Sequence, residues 1–332
     1  MLVPHSYPCL KKEDKEAIVE CLEMEYVGYD DTVAMSIKDK LEVYLAYEWI
    51  ETTPSGSLAF LLILKFLKLQ QGDEVILSAI NCWSVYNTIK MENATAVICD
   101  VRNSKDFRAS YETIESCITS KTKAIVITHM YGILVEEGII ERLKNKYPHI
   151  YIIEDFATSL FSKKNFKLGV YSDFAIGSFG STKPLTGGIG GVLCSHMKVL
   201  ETNYDAYEEN YLSFNVKLSR MNQVLLLSQL NSFDEYQVLK KRLLDFYKNF
   251  VIIYDSDNSL DLFRAITFQE PTKLINYLSL LEIDLDIRES VQPNLIQELD
   301  IKDKKNAYTF EKYYSLPLNI RAYDILNKKG EL

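Results

Sequence analysis

The sequence predicts an α/β fold: a large domain with a mainly parallel sheet covered by helices, followed by a smaller α+β domain. Short β-branched runs, apolar on both faces, recur at 74–78, 96–100, 124–128 and 151–155, and strands of that kind lie inside parallel sheets. Helical patterns near 83–92, 110–118 and 136–146 separate them. This alternation is that of a helix-covered sheet with right-handed crossovers. After residue 217 the rhythm changes to one long helical stretch reaching 247, then short strands near 251–254 and 265–268 with further helices. The expected division is a large domain with a bridging helix over residues 1–245 and a small domain over 246–332. No repeat or flexible linker intervenes, so the two parts are expected to pack closely.

The 332 residues are 47% hydrophobic, enough to bury a full core. A formal charge of -9 disfavours nonspecific binding to nucleic acid or anionic lipid, so an anionic ligand needs a local site. The six cysteines (Cys9, Cys21, Cys82, Cys99, Cys117 and Cys194) form no CxxC pair and no cluster with the four histidines. That pattern suggests neither a zinc site nor a disulfide framework, and it suits a reducing compartment. The most apolar stretch, 58–69, is interrupted by Lys65 and Lys68 and is too short to span a bilayer, and the first residues lack a basic region followed by an apolar one. The expectation is a cytoplasmic protein with no metal, nucleic-acid or membrane partner.

In such a sheet, ligands collect at the carboxyl ends of the strands. Asp155 closes the 151–155 run, and Lys183 follows 28 residues later within a stretch of small and hydroxyl residues, 177–188. A lysine amine and a carboxylate are what pyridoxal 5'-phosphate needs: one holds its aldehyde as a Schiff base, the other keeps its ring nitrogen protonated. Pro184 biases Lys183 toward extended backbone, and the flanking glycines permit close approach of a flat ligand. Taken singly, a solvated loop lysine and a loop-capping aspartate explain the two residues as well. Thr53-Pro54-Ser55-Gly56-Ser57 is a small-residue turn before the apolar helical run. Its amides and the Ser57 hydroxyl suit a phosphate, although an ordinary helix N-cap accounts for the serines equally.

These motifs in their order resemble the DegT/StrS family of pyridoxal-phosphate-dependent nucleotide-sugar aminotransferases, within the aspartate aminotransferase superfamily. The resemblance includes Ser55-Gly56-Ser57, Gly72-Asp73-Glu74, His129-Met130-Tyr131-Gly132, Glu154-Asp155, Ser178 five residues before Lys183, Gly190-Gly191 and Ser315-Leu316-Pro317-Leu318. It implies that Lys183 holds the cofactor aldehyde, that Asp155 binds the ring nitrogen and that Gly56, Ser57 and Ser178 hold the phosphate. It also implies a homodimer with shared active sites, in which Asn215 reaches the neighbouring subunit's cofactor phosphate.

Four positions depart from the family's pattern. Thr158 stands where glutamine or histidine usually lies beside the ring, and Cys82 stands where an aromatic residue stacks on it, with Trp83 adjacent. Both are candidate cofactor-binding residues on position alone. Ile189 replaces a glutamate and Lys217 an arginine. The implied activity is a ping-pong transfer of an amino group, from glutamate, to a nucleotide-linked keto sugar. A non-sugar cyclic ketone as acceptor, or a noncatalytic relative that keeps the fold, are the alternatives. A related dehydratase branch has histidine in place of the lysine, and Lys183 argues against it.

Overall fold

A computed structural model describes residues 1–6, 10–159, 168–183, 185–197, 216–254 and 264–332. In chain order its strands are β1 (Leu2–Val3), β2 (Trp49–Thr53), β3 (Glu74–Ser78), β4 (Thr95–Cys99), β5 (Thr122–Thr128), β6 (Tyr151–Asp155), β7 (Phe174–Ser178), β8 (Gly191–Ser195), β9 (Ala265–Thr267), β10 (Asp284–Leu285), β11 (Arg288–Glu289) and β12 (Tyr314–Leu316). Seven of them form one sheet in the order β2-β8-β7-β6-β5-β3-β4. The pairs from β4 across to β7 are parallel, and only β8 runs against its neighbours β7 and β2. The architecture is therefore the α/β one, with a mainly parallel sheet.

Alternation along the strands divides the core. Val75, Leu77, Ala124, Val126 and Ile153 face one side of the sheet, while Ile76, Ile125, Ile127 and Ile152 face the other, where Ile140 and Leu143 of helix Glu137–Lys146 cover them. The first cluster runs without interruption into the C-terminal part through Tyr247, Ile266, Leu316 and Leu326, so the two parts share apolar contacts. A further cluster packs Ile50, Ala175, Val192 and Cys194 against Ile37, Leu41, Leu226 and Leu230. Helix Gly56–Phe66 begins where Ser55 Oγ accepts from the Leu58 amide at 3.1 Å, and it buries Ala59, Phe60, Ile63 and Leu64.

Three features differ from the sequence expectation. The stretch from 217 to 247 is two helices, Arg220–Asn231 and Phe233–Lys248, because Ser232 between them leaves the helical region at φ -99, ψ 8. This break lets the first helix pack on Lys12–Glu23 and Asp31–Leu41 and the second on Ile320–Lys328. Residues 251–254 form no strand; Val251 continues the helical turn by bonding Tyr247 O, and a Tyr254 amide to Ile266 O bond links the segment to β9. Finally, β1 pairs in parallel with β10, and His5 Nε2 lies 2.9 Å from Ser315 Oγ. Residues 1–6 thus pack against β10 and β12.

One close approach governs the sheet's edge near β2. A Cβ on Gly191 would lie 2.3 Å from both Ser55 C and Gly56 N, which are backbone atoms with little freedom to retreat. Gly191→Ala is expected to destabilise the protein by about 3 kcal/mol. At Gly138, in the first turn of a helix, nothing lies within 4 Å of the added Cβ, and alanine there should be neutral or stabilise by up to about 1 kcal/mol. Urea denaturation midpoints of the two variants check this; equal midpoints would contradict the close approach.

Candidate active site

The carboxyl ends of β2, β5, β6 and β7 and the start of antiparallel β8 meet at one end of the sheet. A cavity of about 240 Å³ opens there, and Gly56, Ser57, Cys82, Asp155, Ser178 and Lys183 are among the residues lining it. Residues separated by more than a hundred positions in the chain thus converge on one space. A larger groove of about 490 Å³, bordered by Asp39, Lys40, Tyr44 and Asp234, lies elsewhere and is open; it brings together no amine and buried carboxylate.

Local structure places each group. Ser178 ends β7 opposite Gly191. The following loop doubles back, closed at its base by Phe179 N to Gly190 O at 2.8 Å and Gly187 N to Phe179 O at 2.9 Å. Within it, Lys183 N donates to Gly180 O at 3.0 Å, and the half-buried side chain enters the cavity. Burial lowers the Lys183 pKa from its ordinary value, against the opposing pull of Asp155. Asp155 is 6% exposed, and its Oδ1 accepts from the Ala157 amide at 3.0 Å. Burial raises its pKa, while the Ala157 amide, Lys183 and His129 act in the other direction. Each of the two groups is therefore the other's counter-charge.

At the opposite wall, Gly56 and Ser57 are the first residues of helix Gly56–Phe66. Amides in a first helical turn have no acceptor within the helix and favour an anion. A Cβ on Gly56 would lie 2.8 Å from Gly177 O, so only glycine lets the helix start sit this close to β7. The donor set fits pyridoxal phosphate: an amine, a buried carboxylate and an amide-and-hydroxyl cradle. Among the described residues no cluster of His, Cys, Asp and Glu suits a metal ion, and no helix is long and apolar enough to cross a membrane.

Six of the eight residues singled out from the sequence line this cavity. Thr158 does not: its Oγ1 accepts from Tyr131 N at 2.9 Å and donates to His129 O at 3.2 Å, which ties the hydroxyl to a neighbouring turn. Asn215 lies outside the described residues. Cys82 caps helix Trp83–Met91 at the cavity, with Ser84 Oγ 3.1 Å from its sulfur. Trp83 packs edge-on to Tyr86. Ile189 is exposed, and Lys217 Nζ lies 4.6 Å from the centre of the Tyr29 ring. Ser84 and Ala157 also line the cavity; only their nearness to Cys82 and Asp155 in the chain could have marked them.

Beneath Asp155 lies a polar hub that the sequence does not mark. Glu154, 2% exposed, receives His129 Nε2 at 3.1 Å on one oxygen, and Gly169 N at 2.9 Å, Tyr47 Oη at 3.1 Å and Ser172 Oγ on the other. Burial alone would raise its pKa, but the bonds from His129, Ser172 and Gly169 hold it below the ordinary value.

A model of the DegT/DnrJ/EryC1/StrS aminotransferase family matches residues 8–251. A GDP-perosamine synthase of Escherichia coli O157:H7 is 27% identical over 300 residues, 83% of this chain and 82% of that protein. The PLP-form structure of a putative sugar aminotransferase from Streptococcus pneumoniae superimposes with a TM-score of 0.81 at 20% identity, covering 99% of this chain and 97% of that one. An aminotransferase of Helicobacter pylori involved in pseudoaminic acid biosynthesis superimposes with a TM-score of 0.79 at 19% identity, covering 99% of each.

Because the folded pKa of Glu154 lies below the 4.5 of a free glutamate, its contribution to stability is complete above that pH and is lost as pH falls through the folded value. Glu154→Gln should destabilise the protein at pH 7 by about 3 kcal/mol. It should also flatten the dependence of the urea midpoint on pH below 4.5. A variant as stable as the parent, with an unchanged acid profile, would show that the hub holds no charge.

Proposed function

The chain belongs to the DegT/DnrJ/EryC1/StrS aminotransferase family, and on that premise we propose that it moves an amino group from an amino donor, glutamate, to a nucleotide-linked keto sugar. The observation that supports this most is the meeting of Lys183, Asp155, Gly56, Ser57 and Ser178 around one cavity. Pyridoxal phosphate, when bound, supplies an aldehyde that takes up amino groups and a protonated ring that draws electrons from the adjacent carbon.

The chain's own residues then have separable tasks. The Gly56 and Ser57 amides and the Ser57 and Ser178 hydroxyls would hold the cofactor's phosphate at the helix start. Asp155, with one oxygen engaged by Ala157 N, would keep a proton on the ring nitrogen through a charge-assisted hydrogen bond. Lys183 Nζ would hold the aldehyde and, as a free amine, would move the proton of the donor's α-carbon, a role favoured by the burial that lowers its pKa. The relatives named for GDP-perosamine and for sugars support a nucleotide-linked keto sugar as acceptor. A cytoplasmic site of action agrees with the free thiols of Cys21, Cys82, Cys99, Cys117 and Cys194. The assembly belonging to this reading is a homodimer with shared active sites, each completed by the partner subunit's Asn215.

Borohydride reduction of the protein loaded with pyridoxal phosphate should leave a stable pyridoxyl label on Lys183, located by peptide mapping. Lys183→Ala should keep the fold and lose the label and amino transfer to a panel of nucleotide keto sugars. A label on another lysine would remove the assignment. A labelled protein that transfers nothing to any acceptor would favour the noncatalytic alternative.

Mixing inactive Lys183→Ala subunits with inactive Asn215→Asp subunits should restore activity, since one site in each mixed dimer would hold both parental residues. A mixture that stays inactive despite proven subunit exchange would rule out the shared site.

A further inference from the structure

Two turns follow adjacent strands at the cavity: residues 129–135 after β5 and 156–159 after β6. They are joined by hydrogen bonds in both directions. His129 N donates to Asp155 O at 3.0 Å, Thr158 Oγ1 donates to His129 O at 3.2 Å, and Tyr131 N donates to Thr158 Oγ1 at 2.9 Å. One hydroxyl therefore satisfies a carbonyl and an amide of the opposing turn at once.

The turn it grips is strained and pinned. Tyr131 has φ 59 and ψ 16, left-handed backbone that costs a residue with a Cβ roughly 1–2 kcal/mol and persists only where surroundings over-determine it. The Thr158 bond restrains its amide, and Tyr131 Oη lies 2.8 Å from Tyr313 Oη at the far end of the side chain. His129 is fixed as well, because Val135 N donates to Nδ1 at 3.1 Å while Nε2 faces Glu154 Oε1 at 3.1 Å. The ring thus bridges the turn and the buried carboxylate.

Asp155 sits between these anchors. Its carbonyl is held by His129 N, and its carboxylate by the amide of Ala157, the residue before Thr158. We infer that Thr158 and His129 are positioning residues for Asp155: by interlocking the two turns they set the angle at which its carboxylate meets the cofactor's ring nitrogen. This rests on the reading that Asp155 holds that nitrogen. It gives Thr158 a role through the protein backbone in place of a contact with the cofactor.

The test uses the full-length protein loaded with pyridoxal phosphate labelled with ¹⁵N in the ring, whose NMR signal reports protonation of that nitrogen. Thr158→Val should move the signal toward the unprotonated position and slow the half-reaction with glutamate roughly tenfold to hundredfold, the scale of a misplaced group. The KM for glutamate should change by less than about threefold, because transition-state rather than ground-state interactions are lost. Thr158→Ser, which keeps the hydroxyl, should restore signal and rate. Thr158→Ala, measured beside it, removes the hydroxyl without a second methyl.

An unmoved ¹⁵N signal in the valine and alanine variants, whether or not their urea midpoints fall, would make the role structural and overturn the inference. Loss of the fold in both would overturn it equally. Asp155→Ala separates the two levels of the argument: if it too leaves the signal unmoved, the assignment of Asp155 itself fails, whereas a signal moved by Asp155→Ala alone defeats only the inference about Thr158.

Discussion

A carboxylate taken out of water organises the end of the sheet where the cavity lies. Removing Glu154 from solvent would cost several kcal/mol if it stood alone, and it is stable there because Tyr47, His129, Gly169 and Ser172 all turn a donor toward it. Those donors come from three separate segments, so one buried charge ties together the approach to β2, the turn after β5 and the chain leading into β7. Successive residues of a strand face opposite sides of the sheet. With Glu154 locked on one side, its neighbour Asp155 is presented on the other, at the cavity.

The anion-binding wall follows from packing rather than from net charge. The chain carries -9 overall, which disfavours anions at long range. A local attraction comes from the start of helix Gly56–Phe66, whose first-turn amides have no acceptor within the helix. That start lies against the sheet because Gly56 and Gly191 allow backbone to approach backbone at distances no side chain would permit. The same glycines that fix the sheet's edge thereby shape the cradle.

Lys183 and Asp155 divide the electrostatics. Burial pushes the amine toward neutrality and the carboxyl toward protonation, and each group partly counters the shift of the other. Opposed shifts of this kind within one cavity mark a candidate functional site. Of the pair's neighbours, Cys82 lines the cavity while Thr158 turns its hydroxyl into the backbone of the next loop.

Much of this was legible in the chain alone. The runs 74–78 and 151–155 are strands with those very limits, because apolar β-branched residues between turn signals specify a buried strand locally. The spacing of Asp155, Ser178 and Lys183, and the small-residue turn at Gly56 and Ser57, placed candidate groups at strand ends and a helix start, where a parallel sheet gathers its ligands. What tertiary structure decided depends on partners distant in sequence. Whether Thr158 faces a ligand or a backbone turn is set by Tyr131 and His129, on another strand's loop; whether Glu154 is a surface charge or a buried hub is set by Tyr47, more than a hundred residues away. The pairing of β1 with β10 joins residues 2–3 to residues 284–285. Local propensity acts over a few residues, whereas burial and hydrogen-bond partnership are fixed only when separate segments pack. The kind of each element and the candidate chemistry could therefore be read from the sequence, while the aim of each side chain could not.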